Sequence, residues 1–239
     1  MKATSLRILS GFLLLFSGSV AAFIGSILFG SVSIPLEEVF NILLNGESSR
    51  VSWKMILWDY RIPKALTAFI GGSALAVSGL LMQTYFRNPL AGPYVLGISS
   101  GASLGVAISV MLLVRLNINS SPFQSVSSLF SACLGSLLVT AIILLIARKV
   151  NSPTILLLVG LMFGYASAGV VNLLIYLSEA REIQSFMIWS FGSFARVPWE
   201  VMPWFCIPTI ICLVGTILIS KSLNAIQLGK EYATTMGVS

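Results

Sequence analysis

The chain alternates long uncharged runs with short stretches that hold nearly all of its charge. Six runs are long enough to cross a bilayer: Ile8 to Phe29, Ala65 to Phe86, Tyr94 to Val114, Val126 to Ala147, Thr154 to Ser178 and Val201 to Ser220. Each holds 20 to 25 residues. At about 1.5 Å per residue that covers a hydrocarbon core of about 30 Å. A seventh run, Ile183 to Ala195, has only 13 residues and predicts an interfacial or re-entrant half-helix. Between the first two spans, residues 31–60 carry SIPLEEVFNILL. There Leu36, Val39, Phe40, Leu43 and Leu44 recur at helical spacing, and Pro35, Glu37 and Glu38 suit a first turn. This predicts an extracytoplasmic amphipathic helix lying on the membrane surface or on its own bundle. The whole of 1–239 therefore reads as one transmembrane domain of an all-α, polytopic membrane protein, with a polar segment at 221–239 after the last span.

Composition supports that class. Hydrophobic residues make up 56% of the chain and charged residues 9%, against about 25% charged in soluble domains. The net charge of +6 does not point to nucleic acid, because the cations sit singly at the ends of apolar runs, where they meet lipid headgroups. Lys2, Arg7 and the SVAA stretch near Ala22 imitate a signal peptide. The first run is longer than a usual signal core and five more follow, so an uncleaved first helix is expected. With the N-terminus inside, seven basic residues fall on each side, and charge alone does not orient the chain. The short connections holding Arg87 and the Arg148–Lys149 pair favour that orientation.

Chemistry is sparse. There is no histidine, and Cys133, Cys206 and Cys212 all lie in apolar runs without metal-ligand spacing. Gly97-Ile98-Ser99-Ser100-Gly101 matches the nucleophile elbow in form only, since that motif needs a strand-to-helix turn and a histidine base. The phosphate-cradling G-x-x-x-x-G-K-[ST] loop does not occur. No catalytic residue, cofactor or metal site is expected. The spans carry no Asp, Glu, Lys or Arg in their interiors, so a transported substrate would meet small, hydroxyl and aromatic surface. Gly97, Gly101 and Gly105 share one stripe of the third span, and Gly160, Gly164 and Ala168 one stripe of the fifth. Such stripes let helix backbones approach closely.

The run RIPKALTAFIGGSALAVSGLLMQTYFRNPLAGPYVLGISSGASLG, Arg61 to Gly105, resembles the signature of the FecCD permeases, membrane subunits of ABC importers for iron-siderophores, haem and vitamin B12. FMIWSFGSFARVPW, Phe186 to Trp199, and LNAIQLGKEYATTMGVS at the C-terminus resemble two further family segments in the same order. The resemblance implies that the corner after the second span faces the cytoplasm as part of an inner gate, with Asn88 and Leu90 as gate residues and Pro89 fixing their turn. It implies a second gate element at Ser152 and Thr154, where Pro153 departs from the family's pattern. Arg61 and Lys64 match positions that pair with acids on a substrate-binding protein; Lys64 stands where arginine is more usual. Leu228, Gly229, Ala233 and Gly237 match a coupling segment that docks on a separate ATPase subunit, so 221–239 would be cytoplasmic.

The implied activity is import of an iron-siderophore or similar metal chelate across the bacterial or archaeal cytoplasmic membrane. The permease would act as a homodimer, or paired with a paralogous permease, and would not itself be an enzyme. The family has about ten spans, with later helices that mirror earlier ones in inverted orientation. This chain reaches six, and a C-terminal truncation is expected. A secondary transporter, which the absence of intramembrane charge disfavours, and a non-transporting remnant stay open as alternatives.

Overall fold

The computed structural model describes residues 2–115, 121–150, 152–194, 197–235 and 237. Every regular element among them is helical: α1 (Lys2–Leu28), α2 (Leu36–Asn45), α3 (Val51–Met55), a π-helical turn (Ile56–Arg61), α4 (Ile62–Phe86), α5 (Ile98–Arg115), α6 (Ser121–Ala147), α7 (Pro153–Tyr176), α8 (Ala180–Ser190), α9 (Met202–Leu228) and α10 (Lys230–Thr235). Five described helical segments are long and apolar enough to cross a membrane: Leu6–Leu28, Val51–Phe86, Val126–Ala147, Thr154–Tyr176 and Met202–Leu228. At most 22% of their apolar windows is buried, and none of α1's. Apolar surface on that scale needs lipid around it. The remaining predicted span is α5, which starts four residues later than its apolar run because Tyr94 to Gly97 form turns. Its 18 residues still reach about 27 Å. The last predicted span is longer than the uncharged run suggests, since helix geometry continues past Lys221 to Leu228.

The helices form two compact units. The first holds residues 1–73 and 193–211, and its core is Ile34, Val39, Ile42 and Leu57, flanked by Ile27, Leu28, Trp53 and Ile62. The predicted amphipathic helix is α2, but its faces divide differently. Val39 and Ile42 are fully buried, while Leu36, Phe40, Leu43 and Leu44 are exposed. One face thus lies on the bundle and the adjoining apolar face is left for the bilayer surface. Gly46 ends α2 in the left-handed conformation and donates to Ile42. Lys54 Nζ then donates to the Gly46 carbonyl at 2.8 Å. Ser49 donates through its hydroxyl (2.5 Å) and its backbone N–H (3.2 Å) to Glu38. These two bonds, the hydroxyl first, hold the Glu38 carboxyl below its usual range. The tie is complete above the ordinary carboxylate pKa and is lost as pH falls through Glu38's lowered one.

The centre of this unit is Arg61. Its Nη1 donates to the carbonyls of Ile27 (2.9 Å) and Leu28 (2.7 Å), and its Nη2 to the carbonyl of Val32. These are the last carbonyls of α1 and one from the turn beyond it. A helix C-terminus leaves carbonyls without intrahelical donors and carries partial negative charge, so a buried guanidinium there meets both needs. Gly30 makes room: a Cβ on it would lie 3.0 Å from Arg61 Nε and Nη2. Trp199 Nε1 donates to the Trp58 carbonyl in the π-helical turn at 2.8 Å.

The second unit holds residues 74–192 and 212–239. Here α5 is central and packs on α6, α7 and α8. The seam with α6 is a backbone contact. A Cβ on Gly101 would stand 2.7 Å from the Gly135 carbonyl and 2.4 Å from Val139 Cγ2; one on Gly105 would stand 2.2 Å from the Ser131 carbonyl. The seam with α7 is as close: a Cβ on Gly97 would lie 2.7 Å from the Gly160 carbonyl, and one on Gly160 2.7 Å from Leu96 Cα. The predicted stripe therefore divides between two neighbours. Gly101 and Gly105 face α6, where Gly135 is the counterpart. Gly97 is not on the helix; it precedes α5 with φ +69° and meets α7. The short helix α8 begins at Ala180, earlier than its apolar run, because Glu179 and Glu182 form a capping box, and it ends before Gly192, which is left-handed. The Ala195 end predicted for it, and Arg196, lie outside the described residues.

Two outcomes follow. Gly101→Val should destabilise the protein by about 1–3 kcal/mol, because the added side chain has only backbone and Val139 to displace. Gly79→Ala and Gly215→Ala, whose Cβ positions are empty, should be neutral or gain up to about 1 kcal/mol of helix propensity. Thermal unfolding in detergent micelles compares the three. By the same assay Arg61→Leu should cost at least about 1–3 kcal/mol by stripping buried carbonyls of their donor, while Lys64→Gln, at an exposed position, should leave the midpoint unchanged.

Candidate functional site

The corner that follows α4 is built by three local devices. First, α4 ends in a Schellman arrangement: Asn88 N–H donates to the Gln83 carbonyl (3.2 Å) and Arg87 N–H to the Thr84 carbonyl (3.3 Å). This requires a left-handed residue, and Arg87 takes it with φ 48°, alone among the described non-glycine residues. A side chain in that conformation costs about 1–2 kcal/mol, which glycine would not incur. Second, Asn88 Oδ1 accepts from the Leu90 N–H at 2.9 Å, closing an Asx-turn over Pro89. Third, Ala91 N–H donates to the Asn88 carbonyl at 3.0 Å. The base of the corner is fixed, since Phe86, Ala91 and Leu96 are buried with Val139, Ile143 and Leu156. Its tip is free: Leu90 is 84% exposed.

The same corner is joined to the end of α9. An Arg87 guanidinium N–H donates to the carbonyl of Ile226 in the last turn of α9. Gln227 Nε2 donates to Thr84 Oγ1 at 3.4 Å. Beyond Leu228 the chain turns at Gly229 (φ 129°), forms α10, and turns again at Gly237 (φ 78°). Ala233 is buried and Leu228 exposed. The four-residue spacing of Gly229, Ala233 and Gly237 suggests one smooth helical face, and the structure corrects that. Only Ala233 lies in the helix, and the two glycines mark its ends because their backbones are left-handed. Met236, Val238 and Ser239 of this motif lie outside the described residues.

At the other predicted gate, Ser152 is the N-cap of α7 with Pro153 following it in the first turn, and Thr154 is exposed. Ser152 caps with its backbone alone: its carbonyl accepts from Leu156 N–H at 3.2 Å, and its hydroxyl makes no capping bond. Arg61 and Lys64, the predicted docking pair, differ in exposure. Three residues apart in one α-helix, Arg61 and Lys64 would share a face. Arg61 instead closes the wider π-helical turn, is 5% exposed and spends its guanidinium on carbonyls. Lys64 alone is exposed.

Among the described residues no group of three His, Cys, Asp or Glu side chains could hold a metal ion, and the three cysteines are free thiols. What the arrangement offers is mechanical: a stiff corner with one projecting leucine, resting on a glycine seam and tied to the end of a long helix. Sequence reasoning gave Arg87 no bonding partner and passed over Thr84, Gln227 and Gly135. An arginine at the position after a helix that usually takes glycine was the available signal for the first.

Residues 15–239 match the profile of the FecCD transport family. The hemin transport system permease protein HmuU of Yersinia pestis is 35% identical over 98% of this chain and 67% of its own length. The vitamin B12 import system permease protein BtuC of Klebsiella pneumoniae is 33% identical over 81% of this chain and 56% of its own. A solved metal-chelate type ABC transporter in an inward-facing conformation superposes with a TM-score of 0.77 at 26% identity, over 98% of this chain and 68% of that one. The chain thus spans between about half and two-thirds of the length of these relatives. With the profile matching nearly its whole length and the helices superposing throughout, this chain is a multi-pass membrane protein that belongs to the FecCD transport family.

Proposed function

We propose that the protein is the permease subunit of an ABC importer in the cytoplasmic membrane, passing a metal chelate inward between two permease chains. A separate ATPase subunit powers it and an extracytoplasmic binding protein feeds it. The observation that carries this reading is the corner Arg87 to Ala91: a rigid turn that presents Leu90 to open space from a buried base. A stopper needs that division between fixed support and free tip. The chelate class follows from relatives named for hemin and vitamin B12 and a neighbour named for metal chelates. It also agrees with predicted spans whose interiors carry no charge, suited to a metal already masked by its organic shell. An iron-siderophore is the finer form of the same proposal.

In this reading the binding protein docks against Lys64, with Arg61 excluded by its burial. ATP-driven closure of the ATPase pair shifts the segment Leu228 to Gly237. The turns at Asn88–Leu90 and at Ser152 and Thr154 then open or close the inner mouth. The chain breaks no bond of its own; alternating access results from ligands that bind its two states unequally.

The test is reconstitution in liposomes with an ATPase subunit and a binding protein, offering haem, cobalamin or a ferric siderophore in turn. ATP-dependent accumulation of one chelate, unchanged when ion gradients are collapsed, is the expected result. Accumulation that follows an ion gradient instead would make the protein a secondary carrier, and accumulation of none would remove the transport reading.

A further inference from the structure

An arginine stands where the backbone favours glycine, and the reason lies in what its side chain reaches. At φ 48° Arg87 holds the left-handed position that closes α4. Strain of this kind persists only where something else rewards it. Its guanidinium N–H bonds the Ile226 carbonyl, which the N–H of Gly229 also reaches at 3.2 Å. That carbonyl belongs to the last turn of α9, where acceptors outnumber donors and the helix dipole favours a cation. Three residues before Arg87, the buried Thr84 takes a second bond, from Gln227. Two consecutive residues at the end of α9, Ile226 and Gln227, are thus held by two residues at the end of α4. The turn bearing Asn88 and Leu90 begins at the very next residue, and α10 begins two residues beyond Leu228.

We propose that Arg87, assisted by Thr84, is a positioning residue that ties the end of α9 to the corner, so that a displacement of residues 226–235 is delivered to Asn88–Leu90. This rests on the importer reading for its purpose, since it names how force from the ATPase side would reach the stopper. The tie itself can be measured without that reading. Arg87→Gly is the informative variant: glycine keeps, or improves, the left-handed helix end and removes only the guanidinium. Arg87→Lys retains the charge at the helix terminus but not the planar fork of donors.

The experiment uses the full chain in nanodiscs, with hydrogen–deuterium exchange read over residues 226–235. Arg87→Gly should raise exchange there by about tenfold or more, the scale of one bond to a charged group, with no fall in the thermal midpoint. Arg87→Lys should recover part of that protection, and Gln227→Ala should reproduce a smaller part of the loss. Exchange in Arg87→Gly equal to that of the parent chain would overturn the tie and leave the importer reading standing. In the reconstituted system, Arg87→Gly should lower chelate delivered per ATP hydrolysed while hydrolysis continues. Unchanged delivery per ATP would overturn the transmitting role. A parent chain that transports nothing would instead remove the importer reading, and exchange would still decide the tie.

Discussion

A helix running through lipid ends in carbonyls that have no donor of their own, and hydrocarbon supplies none. This chain meets that need twice with arginine, once from each end of α4. Arg61, in the residue before α4, closes the end of α1. Arg87, in the residue after it, reaches the end of α9. Each bond joins segments far apart in sequence through a planar guanidinium. The interaction is local at both places, yet it decides what the surrounding loop can do. At Arg61 it buries the cation and makes it a structural post. At Arg87 it leaves the cation exposed and links a polar turn to the polar end of a long helix.

Glycine contacts supply the complementary constraint within the second unit. Where α5 crosses α6 and where the turn at Gly97 meets α7, no room is left for a methyl group. Lipid provides no hydrophobic drive to bring helices together, so close van der Waals contact must do it. The result is a firm base under a corner whose Ala91 and Leu96 are buried and whose Leu90 is not. Firm base and free tip are separate properties, and both are needed for a turn to act as a stopper instead of a loose loop.

Helix existence and type were legible in the residues because uncharged runs of 20 to 25 have few other fates in lipid. Boundaries were less so. Counting uncharged residues stopped the last span at Ser220, but helical hydrogen bonding does not stop at a charge, and α9 continues to Leu228. Counting also began α8 too late, because Glu182, which reads as a polar border, caps the helix from within. The stripe on α2 was placed one face away from its core, since Ile42 was left out of a pattern that Val39 shares with it. At the site, the turn around Asn88 and Pro89 was readable from turn chemistry alone. The burial of Arg61 was not, because a π-helical turn shifts register in a way that spacing arguments built on α-helices miss. The Arg87–Ile226 bond joins residues 139 apart, a distance over which no local pattern speaks.

The account depends on the corner Arg87 to Pro93 opening toward the cytoplasm. Single cysteines placed along it, in a chain whose Cys133, Cys206 and Cys212 have been replaced, can be challenged with a membrane-impermeant maleimide in vesicles of known sidedness. Labelling from the cytoplasmic face only, strongest at L90C, is the predicted result. Labelling from the extracytoplasmic face only would contradict it, and with it the assignment of this corner as an inner gate.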